Sequence, residues 1–221
     1  MHKPYELIIF DWDGTLVDSQ AQIISCIREA FVKVDLSPPD PAAVRHIIGL
    51  SLEAAACRLA PQADRSTIEA LADTYRELAL ANSNHSTQLF EGVESGLRLL
   101  RQQGFYLAVA TGKGRRGLDA ALDGTELADI FDITRCADET CSKPHPMMLD
   151  EILTDLNLKA DKAVMVGDTS YDIEMANNIG MDSIAVTYGM HEEIHLRPLR
   201  PKYLINNFSE IQSLIGENTN V

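Results

Sequence analysis

Cysteine is scarce in this chain. Cys26, Cys57, Cys136 and Cys141 are the four in 221 residues, and no two form a C-x-x-C pair. Such spacing builds neither a disulfide framework nor a zinc ribbon, so the expectation is free thiols in a reducing cytoplasm. Long apolar runs are also missing: none approaches the ~18 residues that a membrane span needs. The opening stretch MHKPYELIIF enters a strand-like pattern too soon for a signal peptide. Positive charge is the third shortage. Lys and Arg number 19 against 33 Asp and Glu, a net charge of −14. That excludes non-specific nucleic-acid binding and attachment to anionic membranes, so neither is an expected partner. It also sets a condition: any anionic substrate must meet local positive charge.

What is present alternates. Residues 7–10 form a short apolar run fit for a buried parallel strand. Residues 19–83 then change character. Ile23, Ile24, Ile27 and Phe31 recur at helical spacing, PPDP at 38–41 is a break, and two further helices open with Ser51 and Ser66 as caps. From Gly92 a helix ends at Gly104 and FYLAVAT is a strand. Residues 115–122 form a weaker helix, MMLDEILTDLNL a stronger one, and KAVMVGD a strand. YDIEMANNIG is a helix closed by glycine, DSIAVTYG a strand, and PKYLINN with SEIQSLIG a last strand and helix. This order predicts an α/β fold, a Rossmann-like parallel sheet with helices on both faces. The helical block reads as an insert, an all-helical cap. Residues 1–17 and 88–221 then form the core domain and 18–87 the cap.

Open parallel sheets bind ligands beyond the carboxyl ends of their strands, near the switch point of strand order. The first strand is followed by Asp11 and Asp13, the LAVA strand by Thr111, Gly112 and Lys113, and the KAVMVG strand by Asp168, with Asp172 four residues on. Lys143 precedes a helix. Carboxylates on neighbouring loops repel unless a cation sits among them, and an all-oxygen set suits Mg²⁺. Thr111 and Lys143 are the kinds of group that hold a phosphate. Taken singly, Asp11 and Asp13 read equally well as turn residues, Asp168 and Asp172 as helix caps, and Lys143 as a surface charge. Their joint placement on one sheet edge argues for a site.

In order, FDWDGT, ATGK, SKP and GDTSYD resemble the four motifs of the haloacid dehalogenase-like hydrolase superfamily, with a layout most like the phosphoglycolate phosphatase-like branch. The resemblance spans nearly the whole chain. It implies a Mg²⁺-dependent phosphohydrolase acting on a small-molecule phosphate ester through a phosphoaspartate, as a monomer or homodimer. Asp11 would be the nucleophile and a metal ligand. Asp13 would offer its backbone carbonyl to Mg²⁺ and its side chain as acid and base. Thr111, Gly112 and Lys143 would hold the phosphoryl oxygens, Asp168 would complete the metal site, and Asp172 would support it directly or through water. Gly14 would allow the sharp turn, and Thr15, counted with the catalytic residues, would hydrogen-bond within it. Asp13 favours phosphate over dehalogenase chemistry. The second motif often reads Thr-Asn-Lys, so Gly112 lacks one amide contact. A phosphosugar mutase and a non-catalytic binding protein are the alternatives. The related mutases carry an arginine where this chain has Leu52, with Arg45 and His46 as partial substitutes nearby.

Three patterns imitate other sites. GKGRRG at 112–117, with Asp132 about twenty residues on, matches a dinucleotide fingerprint, but not on the first strand–helix turn. HEEIH at 191–195 matches a zinc-protease signature, but Gly189 and Pro198 leave little room for its helix. Cys136, Cys141 and His145 fit no zinc spacing well.

Overall fold

In the computed structural model, which describes residues 4–82, 88–125 and 127–215, β1 (Leu7–Phe10) leads into α1 (Gln20–Lys33), α2 (Pro41–Ile47), α3 (Leu52–Leu59) and α4 (Arg65–Ala81). Helix and strand then alternate: α5 (Val93–Gln102), β2 (Tyr106–Thr111), α6 (Arg115–Asp123), β3 (Ile133–Cys136), α7 (Met147–Asp155) and β4 (Ala163–Gly167). The chain continues through α8 (Ser170–Asn177), β5 (Asp182–Val186), α9 (Glu193–Leu196), β6 (Tyr203–Ile205) and α10 (Glu210–Ile215). The six strands pair in parallel in the order β3-β2-β1-β4-β5-β6. Strand order reverses between β1 and β4, so the switch point lies where Asp11 and Asp168 leave the sheet.

All four side chains of β1 are buried, as a strand covered on both faces requires. Ile8 and Phe10 pack with Val109, Val166 and Leu97 of α5 on one face. Leu7 and Ile9 pack with Met165, Ile152 of α7 and Met175 of α8 on the other. Each such side chain contributes about 1.5–3 kcal/mol by burial, which anchors the strand ends that carry the polar groups.

The insert has its own buried cluster, including Ile23, Ile27, Phe31, Val44 and Leu71. Tyr171 and Met190 from the sheet side join that cluster. The chain enters and leaves the insert at one place, where Asp18 N–H donates to Gln88 O at 2.9 Å and Phe90 N–H to Leu16 O at 3.0 Å. Residues 83–87, the end of the expected cap, lie outside the described residues. No helix among the described residues is long and apolar enough to cross a membrane.

Several expectations need correction. Ser51 caps α3 as predicted, but α4 starts under Asp64, whose carboxylate accepts from Thr67 N–H at 2.8 Å and from Ser66 Oγ at 2.9 Å. A carboxylate next to a helix N-terminus gains from the helix dipole, which outweighs the serine. PPDP is a break and also a start: Asp40 caps α2 and Pro41 occupies its first turn. Strand β3 escapes the apolar-run criterion because three of its four residues are half-buried at the sheet edge.

Candidate active site

Three strand ends meet above the switch point. Asp11 is 1% exposed. Its Oδ1 accepts from Trp12 N–H at 2.7 Å and from Lys143 Nζ at 2.9 Å. Its Oδ2 is buried with no partner. Burial pushes its pKa up to about 7, against the pull of the Lys143 ammonium. Gly14 has φ +87°, and a Cβ there would stand 2.2 Å from Asp168 Oδ2. The turn therefore needs glycine both for its backbone and for the approach of Asp168.

Asp13 faces another way. Its Oδ1 accepts from Ser19 Oγ at 2.7 Å and its Oδ2 pairs with Lys113 Nζ at 2.9 Å. Thr15 does not close its own turn with its hydroxyl. Thr15 Oγ1 crosses to donate to Asp168 Oδ1 at 2.8 Å, so it positions a carboxylate instead.

Asp168 is fully buried, and Met190 N–H donates to its Oδ2 at 2.7 Å. Burial, with Asp11 and Asp172 nearby, raises its pKa well above the usual carboxylate range. Asp172 does cap α8, since its Oδ2 accepts from Thr169 N–H and Oγ1 at 3.0 and 2.7 Å. Its Oδ1 also accepts from Lys143 Nζ at 2.7 Å. Asp172 therefore caps α8 with one oxygen and faces Lys143 with the other. Lys143 is no surface charge: its ammonium is buried between Asp11 and Asp172. Burial works against that charge, but the two carboxylates outweigh it and hold the pKa above the ordinary lysine range.

Thr111, 1% exposed, lines the same cavity. Gly112 has a role beyond its N–H. A Cβ on it would lie 2.5 Å from Gly49 O and 2.6 Å from Leu50 O, so backbone of the insert occupies the space an amide side chain would take. Lys113, the last residue of the ATGK motif, also meets the site through Asp13. Its burial is outweighed chiefly by Asp13, which keeps it charged. Ser19, partner of Asp13, lies four residues past the FDWDGT motif and carries no spacing signal in the sequence.

The end of α2 and the loop that follows it are clasped to the sheet side around this site. His46 O accepts from Tyr171 Oη at 2.9 Å and lies 3.2 Å from His191 Nε2. His191 Nδ1 accepts from Ser170 N–H at 3.0 Å, which assigns the ring proton to Nε2. Ser51 N–H donates to Ser142 Oγ at 2.8 Å. Neither Arg45 nor His46 lines the cavity, whereas Leu52 does, so the expected substitutes for a mutase arginine are not in place.

Asp11, Asp168 and Asp172 each present a carboxylate oxygen within 4.8 Å of the others. The donors are all oxygen, which fits a hard divalent cation. Among the described residues no such group includes Cys136, Cys141 or His145. The other imitations dissolve too. Asp132 accepts from Leu107 N–H and pairs with Arg101, and Arg115 is held by Asp138 and Glu139. Helix α9 is four residues long and begins after His191.

A doubly wound α/β fold with carboxylates and a buried lysine at its switch point defines an enzyme scaffold, here with a helical insert closing over the site. The chain belongs to the haloacid dehalogenase-like hydrolase family, whose model matches residues 8–186. It is 36% identical over 211 residues to "Probable phosphatase IndB" of Dickeya dadantii, covering 93% of this chain and 91% of that one. It is 29% identical over 210 residues to "Pyrophosphatase PpaX" of Halalkalibacterium halodurans, covering 95% and 96%. The crystal structure of a predicted phosphatase from Clostridium acetobutylicum superposes with a TM-score of 0.86 at 29% identity, over 96% of this chain and 98% of that one.

Proposed function

We propose that this hydrolase is a Mg²⁺-dependent phosphatase that cleaves small-molecule phosphate monoesters through a phosphoaspartate on Asp11. The observation that carries the reading is the buried, unpartnered Oδ2 of Asp11, whose other oxygen is fixed by Trp12 N–H and Lys143. A carboxylate held this way has one oxygen free to attack phosphorus and cannot rotate away. Lys143 and the Thr111 hydroxyl supply positive charge and a donor for the phosphoryl oxygens in a net-acidic protein. Asp11, Asp168 and the Asp13 backbone carbonyl would hold Mg²⁺, with Asp172 in support; the bound ion neutralises charge on the transferring group.

In the first step Asp11 Oδ2 bonds to phosphorus while the bond to the ester oxygen breaks. Asp13, oriented by Ser19 and Lys113, protonates that leaving oxygen and an alcohol departs. In the second step Asp13 takes a proton from water, the water oxygen bonds to phosphorus, and the bond to Asp11 breaks. Phosphate leaves, Asp11 is a free carboxylate again, and Asp13 again carries the proton with which it entered the first step. Splitting one displacement into two eases each. The insert, residues 18–87, acts as the cap that shields these steps from bulk water.

A mutase needs a second anion site on the cap, and Leu52 stands where its arginine would. A non-catalytic binding role would not require the acid–base residue Asp13 to be held by two partners. The test is phosphate release from acetyl phosphate and from an alkyl phosphate. Release should require Mg²⁺, stop on chelation and return with added Mg²⁺. Metal-independent release, or none from either ester, would overturn the reading.

A further inference from the structure

The cavity above Asp11 is larger than a two-carbon phosphate ester requires, and its far wall is of a different kind from its floor. Its volume is about 590 Å³. Even if each of the nine non-hydrogen atoms of phosphoglycolate took the ~30 Å³ of a liquid water molecule, under half of that space would be filled. The floor is polar and charged: Asp11, Asp13 and Lys113, with the Thr111 hydroxyl. The wall opposite comes from the insert. It is mostly apolar, with Ile23 and Ile27 of α1, Leu50 of the clasped loop, Ala55 of α3, and Tyr75 and Ala79 of α4, and with Gln22, Ser51 and Glu53 among its polar members. Among the described residues of the insert, the one cation lining the cavity is Arg76. Its side chain is 50% exposed and already paired with Asp73 at 2.6 Å. Arg116, from α6, lies exposed on the sheet side of the lining. The wall thus has no buried charge with which to receive a carboxylate or a second phosphate.

We infer that the substrate is a phosphate monoester with a bulky, mostly apolar leaving group that fills the insert side of the cavity. The inference rests on the phosphatase reading above and deepens it. A phosphate seated on the floor directs its ester oxygen towards Asp13, and the alcohol portion extends towards Ile23, Ala55 and Ala79. A small polyol or hydroxy acid there would leave apolar wall against water and gain nothing from it. An alkyl or aryl group displaces that water, and burial favours the complex by about fourfold per methylene. Tyr75 contributes a flat face. Burial pushes its hydroxyl pKa up to about 12, so it remains a neutral phenol able to donate to one polar atom on the leaving group.

The experiment uses the full chain with Mg²⁺. It measures kcat/KM for ethyl, butyl, hexyl and 2-phenylethyl phosphate, whose alcohols are similar as leaving groups, and for phosphoglycolate and glycerol 3-phosphate. Acetyl phosphate reports separately on the phosphatase reading, because its good leaving group needs little from the cavity. The inference predicts about a fourfold gain per methylene until the wall is covered, with phosphoglycolate and glycerol 3-phosphate below butyl phosphate. A flat or falling series, or phosphoglycolate as the best ester, overturns it while leaving acetyl phosphate turnover intact. If acetyl phosphate is not turned over, the phosphatase reading fails. The cavity claim then stands or falls on calorimetric Kd values for the matching alkylphosphonates, which should tighten by the same factor per methylene. Ala79→Phe places a ring in the proposed leaving-group space. It should lower the hexyl-to-ethyl ratio of kcat/KM by at least tenfold, and an unchanged ratio would place the leaving group elsewhere.

Discussion

The sheet edge and the insert wall face each other across one cavity and are built on opposite rules. At the sheet edge almost every polar atom is committed. Asp13 has Ser19 and Lys113, Asp168 has Thr15 and Met190, and Lys143 is shared by Asp11 and Asp172. The insert wall is mostly apolar, and near the site it is joined to the sheet side largely through backbone: the His46 carbonyl, the Ser51 N–H and the Gly49–Leu50 carbonyls over Gly112, with Arg58 on Tyr171 as a side-chain contact. A committed polar network resists substitution, because removing one member strands a buried charge. An apolar wall seated by main-chain contacts can change its side chains and keep its position. One half is suited to fixed chemistry and the other to variable selection.

That contrast can be broken at graded cost. The largest effect is expected at Asp168. Asp168→Asn should remove the Mg²⁺-dependent rise in Tm and lower turnover by at least about 10³-fold, roughly 4 kcal/mol of barrier. Thermal melts with and without Mg²⁺ report this independently of activity, and a wild-type Mg²⁺ shift in the variant would remove Asp168 from the metal set. Next comes Lys143→Met, which leaves two buried carboxylates without their counter-charge. A loss of about 3–5 kcal/mol in denaturant unfolding and of about 10²–10³-fold in kcat/KM should follow. A loss under about tenfold, or 1.4 kcal/mol, would assign the phosphate charge to Lys113 or Arg116.

Smaller effects belong to the seam between the halves. Gly112→Ala puts a methyl into the Gly49 and Leu50 carbonyls, so the insert must lift. The kcat/KM for an alkyl phosphate should fall about tenfold more than that for acetyl phosphate, a difference of about 1.4 kcal/mol. Equal losses on both esters would mean that Gly112 serves the phosphate and not the seat of the insert. The smallest change is Tyr171→Phe. It removes one of the two side-chain contacts to the His46 carbonyl, and His191 remains. The Tyr171 hydroxyl also accepts from Arg58 Nη1 at 2.7 Å, so two hydrogen bonds are lost, about 0.5–1.5 kcal/mol each, read as a raised KM with kcat unchanged. A fall in kcat instead would show Tyr171 acting on the chemistry.

The two halves also differ in how far the sequence revealed them. The strand ends were legible because a buried strand is a continuous apolar run, and a carboxylate at its end stands out. Asp11, Asp13 and Asp168 follow from that rule; Asp11, Asp13 and Thr111 line the cavity, while Asp168, Asp172 and Lys143 are buried beside Asp11. What each partner does was not legible. Thr15 reaches Asp168 from 153 positions away, and such a separation has no periodicity to read. Lys113 sat inside a quoted motif, yet only the folded chain brings it to Asp13. The insert was visible as helices, but α2 hid behind two prolines and the cap of α4, Asp64, lies two residues before the serine expected in that place. Gly112 read as a lost contact, because a sequence lists the side chain that is missing and not the backbone that takes its space.

The central claim is the division of labour between Asp11 and Asp13, and intact-protein mass spectrometry after mixing with acetyl phosphate and Mg²⁺ tests it most directly. Asp13→Asn keeps the nucleophile and loses the acid and base, whose contribution is typically about 10²–10⁴-fold. Acetyl phosphate needs little protonation to leave, so it should still phosphorylate Asp11, and the adduct should persist because water is no longer activated. Asp11→Asn should show no adduct at any time. A lasting phosphate on Asp11→Asn, or none on Asp13→Asn while the wild type turns over, would contradict the account.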